Sequence, residues 1–423
     1  MSKLINKTLF ILLCSICLLS WNELSAQYSK TPYSKKSYPY IQYDSCYLEH
    51  PLENPNLNTF YNKLDKLYFA GTGQVKIMQI GGSHVQAGMW SFELRKQFES
   101  LSSDIEGYPG LVFPFSLAKT NHPFYYRSEC EGDWEISKIT DKVPIDSIGL
   151  SGITARTNDS LASIKIIFYP VADIAKRSFD KVSIFHNIED TSYLLSIMPL
   201  DAVDTSFVNY ETRATEFYLK NNLDTLEIKF VKQDTSDNPL FFYGAFLENS
   251  LPGIQYTGIG INGAATSSYL KVELFETHLK AIKPDLVVFS IGVNDAAGQS
   301  FSKRTYINNY KIIADKILEV NPDCAFIFTT NNDFYHYRGG VNQHYKDIYE
   351  AMISLSQFYN ASVWNMFKVM GGYKSINYWR NDNLGKRDRI HFTKEGYIVI
   401  AGLLFDAIMQ DYETYLEKNA STK

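Results

Sequence analysis

The chain has 423 residues, too many for one minimal domain, which predicts two or three domains or one domain with a large insertion. Its hydrophobic content of 45% is typical of a globular protein and excludes a mainly disordered chain. Because the net charge is −5, there is no electrostatic basis for binding nucleic acid or an anionic membrane, and neither is expected as a partner.

The first 26 residues have the pattern of a secretory signal peptide. Two lysines precede the apolar run LFILLCSICLLSW, and the small residues Ser25 and Ala26 follow it. We expect cleavage after Ala26, a periplasmic or secreted mature protein, and no membrane contact after cleavage. Lipoprotein processing at Cys14 or Cys17 and an uncleaved anchor are the alternatives.

The cysteines and histidines give no metal-binding pattern. The mature chain would keep Cys46, Cys130 and Cys324, which leaves open one disulfide with a free thiol, or three buried thiols. The eight histidines are scattered, so we expect neither a metal nor another cofactor.

The distribution of patterns predicts one α/β domain that is split by a β-rich insertion. Residues 27–60 are rich in Tyr, Ser and Lys and are interpreted as a lead-in without a core of its own. Residues 61–122 contain a continuous apolar run at 75–80, typical of a strand buried on both faces. Residues 123–252 read as short strands separated by turn residues, which predicts an inserted antiparallel domain.

From residue 253 to about 415, strand and helix patterns alternate, which is typical of a parallel sheet with helices on both faces. Strand-like runs lie at 254–261, 285–292, 324–330 and 361–366. Helical stretches lie around 266–282, 303–320, 341–358 and 393–412.

Polar residues and glycines follow the ends of these strands. Ser83 follows the first strand, Gly263 the next and Asn294 the third, and Asp388 and His391 directly precede the last helix. In doubly wound sheets, ligands bind at the carboxyl ends of the strands. We therefore expect these five residues to lie close together.

Together the five residues provide the parts of an acyl-transfer site. Ser83 would attack a carbonyl carbon, His391 would take its proton, and Asp388 would orient the imidazole. The backbone N–H groups of Ser83 and Gly263 and the side-chain amide of Asn294 would form an oxyanion hole. A serine that caps a helix and turn-forming Asp and Asn residues are the purely structural alternatives.

The four segments resemble, in chain order, the four sequence blocks of the SGNH (GDSL-type) hydrolases. Five residues match the defining positions of those blocks: Ser83, Gly263, Asn294, Asp388 and His391. The resemblance covers roughly residues 65–122 and 253–412. It implies a three-layer, flavodoxin-like parallel sheet and the activity of a serine esterase. The regularly spaced short strands of the insertion predict a jelly-roll-like antiparallel β-sandwich.

The run GLVFPFSLAKTNHP at 110–123 and the insertion after it are similar to the bacterial peptidoglycan O-acetylesterases. That resemblance implies a carbohydrate-binding-like insertion and a periplasmic esterase acting on acetylated cell-wall sugar. One departure concerns the first block, where Gly82 stands in place of the family's usual Asp. This predicts lower activity, altered geometry, or a carboxylate supplied from elsewhere.

We expect an O-acetylated glycan as the substrate, with peptidoglycan first and a xylan-like polysaccharide second. The alternatives are an O-acetyltransferase and an inactive carbohydrate-binding protein on an esterase fold. Five further residues are candidates for the substrate cleft, with packing or a solvated loop as the alternative: His84, Asn331, Asn332, Tyr335 and Arg338.

Overall fold

The computed structural model describes residues 37–53, 55–108, 110–169, 178–298, 300–336 and 339–421. The expected signal peptide, residues 1–26, and the candidate cleft residue Arg338 lie outside these ranges. Within them, no helix combines the length and the hydropathy that crossing a membrane requires. The three remaining cysteines also lie within them and form no disulfide: Cys46, Cys130 and Cys324.

Strands and helices follow the predicted alternation. The strands of the described residues are β1 Leu48–Glu49, β2 Gln74–Gly81, β3 Glu106–Tyr108, β4 Gly110–Val112, β5 Tyr126–Glu131, β6 Glu135–Lys138, β7 Ile153–Thr157, β8 Leu161–Phe168, β9 Phe179–His186, β10 Tyr193–Met198, β11 Val203–Asn209, β12 Ala214–Leu223, β13 Thr225–Lys232, β14 Leu240–Glu248, β15 Gly253–Gly260, β16 Leu286–Ser290, β17 Ala325–Thr329 and β18 Ser362–Trp364. The α-helices of the same residues are α1 Leu57–Ala70, α2 Ser83–Gln86, α3 Met89–Glu99, α4 Thr266–Tyr269, α5 Phe275–Ile282, α6 Val293–Ala296, α7 Lys303–Val320, α8 Tyr345–Tyr359, α9 Met366–Val369, α10 Ile376–Asn381 and α11 Lys394–Ala420.

The α/β domain is built on a seven-stranded sheet with the order β1-β18-β17-β16-β2-β15-β3. The neighbouring strands are parallel, except that β1 runs antiparallel to β18. Through β1, the lead-in segment joins this sheet and packs on the core of the α/β domain, where Tyr38, Ile41 and Leu48 are buried.

Strand β2 carries buried apolar side chains on both of its faces. Successive side chains of a strand point to opposite faces, so Val75 and Ile77 join one apolar core. Met78 and Ile80 join the core on the other face. Helices α1, α3 and α11 contribute to the first core and α5, α7 and α8 to the second, which gives the three layers predicted from the sequence.

Strands β4 to β14 form the β domain, an antiparallel sandwich inserted between β3 and β15. Its larger sheet has the order β11-β12-β9-β14-β7-β6, with β4 also paired to β14, and its smaller sheet has the order β10-β13-β8-β5. The sheets pack face to face: the ring of Phe230 on β13 lies 6.0 Å from that of Phe242 on β14. The predicted fold class, a parallel α/β domain with an inserted β-sandwich, is confirmed.

The β domain begins earlier in the chain than residue 123, the boundary expected from the sequence. Strand β4, residues Gly110–Val112, pairs with β14 of the sandwich and not with the parallel sheet. Leu111 and Val112 are buried in the apolar cluster that also contains the sandwich strands. Because these residues are buried there, the segment belongs to the β domain.

The two domains share a buried interface around His278 of α5. Its ring stacks on Phe185 of β9, with ring centroids 4.3 Å apart, and its Nδ1 accepts a hydrogen bond from the Leu150 amide at 3.3 Å. Burial, together with the nearby charge of Arg213, lowers the pKa of His278 to about 3. The imidazole is therefore neutral in the folded protein at any pH at which the protein would be assayed.

This burial predicts a measurable dependence of stability on pH. The unfolded chain takes up a proton at His278 below about pH 6.5, whereas the folded chain does so only near pH 3. The contribution of neutral His278 to the free energy of unfolding is therefore complete above about pH 6.5. It is lost as the pH falls, by up to about 1.4 kcal/mol per pH unit. His278→Asn, which keeps an acceptor near Leu150, removes this term.

We expect His278→Asn to be less stable than the unaltered protein at pH 7. The difference in free energy of unfolding should narrow by about 2 kcal/mol between pH 7 and pH 5, because only the unaltered protein retains the linkage. Urea unfolding at the two pH values measures this. Because the comparison holds all carboxylates constant, a difference that does not change with pH would contradict the assignment.

Candidate active site

A continuous chain of hydrogen bonds joins Ser83, His391 and Asp388. The Ser83 Oγ lies 2.8 Å from Nε2 of His391. On the other side of the ring, Nδ1 lies 2.8 Å from Oδ2 of Asp388. Two residues that are 308 positions apart in the chain are thus in direct contact, in the arrangement of a nucleophile, a base and an orienting acid.

Local backbone structure orients the residues at both ends of this hydrogen-bonded path. Ser83 opens the short helix α2 directly after β2, and the Gly82 carbonyl accepts the amides of Val85 and Gln86 at 3.1 and 3.0 Å. This turn presents the serine hydroxyl at the carboxyl end of a central strand.

At the other end, Asp388 also holds its own turn. Its Oδ1 accepts the amides of Ile390 and His391 at 2.9 and 3.0 Å, while Oδ2 contacts the imidazole. Burial by itself would raise the pKa of this carboxyl group. The hydrogen bonds from the imidazole and from the two amides outweigh burial and hold the pKa of Asp388 well below its ordinary value.

Donors for a developing oxyanion surround the serine. The side-chain amide of Asn294 donates to the Ala264 carbonyl at 2.9 Å, which fixes its orientation and leaves its second hydrogen available. Among the described residues, the backbone N–H groups of Ser83 and Gly263 have no acceptor. Ser83, Gly263 and Asn294 all line one cleft, as the oxyanion-hole hypothesis requires.

Glycine is required just before Asn294. Gly292 has φ +132°, and a Cβ at this position would collide with the hydroxyl of Tyr306. The hydroxyls of Tyr306 and Tyr310 donate to the Ile291 carbonyl at 3.1 and 2.6 Å. The close approach of these two tyrosines sets the turn from which Asn294 projects.

Asp295 ties the loops after β15 and β16 together, since its carboxylate accepts the amide and the hydroxyl of Thr266 at 3.0 and 2.5 Å. At position 82, a Cβ would lie 3.3 Å from Nδ2 of Asn294 and 3.4 Å from the Ala264 carbonyl. The missing family aspartate would thus point at Asn294. In this chain, the Ala264 carbonyl orients that amide instead.

The cleft beside Ser83 has a volume of about 740 Å³. Its lining combines neutral amides with aromatic rings: Asn121, Asn262 and Asn294, and Phe124, Phe334, Tyr335 and Tyr397. Of the sequence-predicted cleft residues, Tyr335 lies in this lining. Sequence reasoning missed Phe124, Asn262 and Lys386; the position of Lys386, five residues before His391, was the signal that could have found it.

His84 is not a cleft residue, contrary to the expectation. It is buried behind His391, with ring centroids 5.1 Å apart, and its Nδ1 lies 2.9 Å from the Tyr397 hydroxyl. Burial, and next the charge of His391, lower the pKa of His84 to about 3. Because side chains of consecutive helical residues diverge, the residue directly after Ser83 turns inward, where it packs against the ring of His391.

Asn331 and Asn332 are likewise absent from the cleft. Asn332 is buried, and its amide donates to the Ile390 carbonyl at 3.0 Å, which ties the loop after β17 to the loop that carries His391. The Asn331 side chain lies against Gly292. Both residues follow a parallel strand as predicted, but they face the packed loops and not the substrate side.

A second hydrogen-bonded set of Ser, His and Asp shows that hydrogen-bond geometry alone does not identify an active site. His50 lies 2.8 Å from the Ser362 hydroxyl and 2.6 Å from the Asp411 carboxylate. Ser362 has no exposed surface, so no substrate reaches its oxygen. These hydrogen bonds instead anchor the lead-in segment to β18 and α11, whereas Ser83 opens onto the cleft.

Residues 231–399 match the GDSL-like Lipase/Acylhydrolase family, a segment that holds Gly263, Asn294, Asp388 and His391 but lies beyond Ser83. The comparison with curated proteins gives no significant match.

Among solved structures, a peptidoglycan O-acetylesterase aligns with a TM-score of 0.71 and 20% identity, over 87% of this chain and 99% of that one. A GDSL-like lipase from Bacteroides thetaiotaomicron aligns over 38% of this chain and 76% of its own, with 20% identity and a TM-score of 0.29. A family two carbohydrate esterase from Cellvibrio japonicus aligns over 68% and 98%, with 11% identity and a TM-score of 0.28.

The alignment over nearly the whole chain extends the fold similarity to the inserted β domain. The family match covers most of the second part of the α/β domain, which is less than half of the chain. Residues 231–399 are therefore similar to the GDSL-like Lipase/Acylhydrolase family, and the fold of the chain resembles that of a peptidoglycan O-acetylesterase.

Proposed function

We propose that this protein is a serine esterase that removes O-acetyl groups from carbohydrate, with peptidoglycan as the first candidate substrate. The observation that carries the proposal is the hydrogen-bonded path from Ser83 through His391 to Asp388, which opens onto a cleft. The similarity of the whole fold to that of a peptidoglycan O-acetylesterase supports the choice of substrate.

In the first step, the Ser83 Oγ attacks the acetyl carbonyl carbon while Nε2 of His391 takes the serine proton. The carbonyl oxygen becomes an oxyanion, which the N–H groups of Ser83 and Gly263 and the Asn294 amide stabilise. The bond to the sugar oxygen then breaks, and His391 returns the proton to that oxygen. An acetyl ester on Ser83 remains.

In the second step, His391 takes a proton from water, whose oxygen attacks the acetyl ester. The same donors hold the second oxyanion. Its collapse breaks the bond to the Ser83 Oγ, which takes the proton back from His391, and the acetyl group leaves as acetic acid, which ionises to acetate. Asp388 keeps the imidazole oriented in both steps and stabilises its protonated form. The neutral amides and aromatic rings of the cleft suit a sugar, which presents both hydroxyls and an apolar face.

The mature protein would act in the periplasm or outside the cell. This location follows only from the pattern of residues 1–26, and it stays a prediction.

Ser83→Ala removes the attacking oxygen and leaves the fold intact. We expect acetate release from O-acetylated cell wall or acetylated xylan to fall on the order of 10³-fold or more. Ser362→Ala is the matched control, since it also removes a serine hydroxyl bonded to a His-Asp pair but at a site without access. Equal rates for Ser83→Ala and the unaltered enzyme would remove Ser83 from the mechanism.

Asp388→Asn keeps the side-chain shape but removes the charge that stabilises protonated His391. We expect kcat to fall on the order of 10² to 10⁴-fold. Because the folded pKa of Asp388 is lowered, its stabilising contribution is complete above about pH 4 and is lost as the pH falls further.

Urea midpoints of the unaltered protein and Asp388→Asn should therefore differ at pH 7 and converge toward pH 3. Steady-state rates and these midpoints together test the assignment. A variant with unaltered kcat, or a stability difference that grows on acidification, would show that Asp388 does not act as an ionised partner of His391.

A further inference from the structure

The permanent charge in the described lining of the cleft beside Ser83 is positive. Among the lining residues that the structure describes, Lys386 is the one with a permanent charge, and no carboxylate faces the cleft. The chain as a whole has a net charge of −5, so a cation at this position runs against the overall balance.

The backbone of Lys386 is held next to the catalytic histidine. Its amide donates to the His391 carbonyl at 2.8 Å, and its carbonyl accepts the Arg389 amide at 3.1 Å. Beside it, Gly385 and Phe392 form a β-bridge. The flexible part of Lys386 is therefore its side chain alone, which starts close to the reacting groups.

Other cations stand near the same cleft. The guanidinium of Arg389 lies 3.9 Å from the ring centre of Tyr335, and the amine of Lys394 lies 5.8 Å from that of Phe124; both rings line the cleft. Within the described ranges, Lys386, Arg389 and Lys394 form no ion pair. Asp388, the carboxylate between them, is occupied by His391 and two backbone amides.

We propose that Lys386 binds an anionic group, a carboxylate or a phosphate, on the sugar that carries the acetyl ester. This inference rests on the proposed function, because that function places the ester at Ser83. An ammonium group without a protein partner at the edge of a binding cleft is complementary to an anion on the ligand. The muramic acid of peptidoglycan carries such a carboxylate on its lactyl ether where the stem peptide has been removed, whereas the xylan backbone is neutral.

The test compares two acetylated sugars that differ at one substituent. The 6-O-acetyl esters of N-acetylmuramic acid and N-acetylglucosamine differ by the lactyl ether with its carboxylate. We expect kcat/KM of the unaltered enzyme to be about three- to tenfold higher for the muramic acid ester, since a partly exposed ion pair contributes modestly. This preference should shrink as salt is raised from about 0.05 to about 0.5 M.

Lys386→Gln should abolish this preference by lowering kcat/KM for the muramic acid ester alone, and Lys386→Arg should retain most of it. Arg387→Gln is the matched control: this neighbouring cation is exposed and lies outside the cleft lining, so its loss should leave the preference intact. Inhibition by N-acetylmuramic acid and by N-acetylglucosamine 1-phosphate, each against N-acetylglucosamine, tells a carboxylate from a phosphate.

The outcomes distinguish a failure of this inference from a failure of the proposed function. Equal kcat/KM for the two esters, or an equal loss for both in Lys386→Gln, would overturn the role of Lys386 and leave the esterase intact. Absence of acetate release from either ester and from a neutral chromogenic acetate, with folded protein, would overturn both.

Discussion

The site depends on the register of the central parallel strands. Gly81 at the end of β2 pairs with Gly260 of β15 on one side and with Ser290 of β16 on the other. The three strands therefore end level, and the loops that follow them start side by side. A shift of one residue would turn the side chains of a strand to opposite faces, and the buried apolar residues on both faces of β2 oppose such a shift.

From that common level, short-range contacts complete the geometry. At Gly260, a Cβ would meet backbone atoms of Gly82 and Gln86, so the bare glycine lets α2 lie directly against the strand. The Gln86 side chain donates to the Thr120 hydroxyl at 3.0 Å and accepts the Asn262 amide at 2.6 Å. Through Asn121, which lines the cleft and accepts the Asn262 side chain at 2.7 Å, the segment that leads into the β domain shapes the substrate side.

The two hydrogen-bonded Ser-His-Asp sets of this protein differ in whether a substrate can reach the serine. Both show hydrogen bonds of ordinary length, and they join residues that are 308 and 312 positions apart in the chain. Ser83 opens a helix at the end of a strand, while Ser362 begins strand β18 and has no exposed surface. Of the two serines, Ser83 lies at an opening in the fold, whereas the hydrogen bonds of the buried set connect the lead-in to the core.

The sequence by itself determined the strand and helix alternation, the inserted β-sandwich, and the identity of Ser83, Gly263, Asn294, Asp388 and His391 as site candidates, because periodicity and chain order are local properties. Which side chains face the cleft was decided only by the tertiary structure. His84, Asn331 and Asn332 follow strand ends in the sequence, yet they point into packed loops. Asn262 and Lys386 line the cleft because loops distant in the chain meet there, and no local pattern encodes which face of a loop is left open.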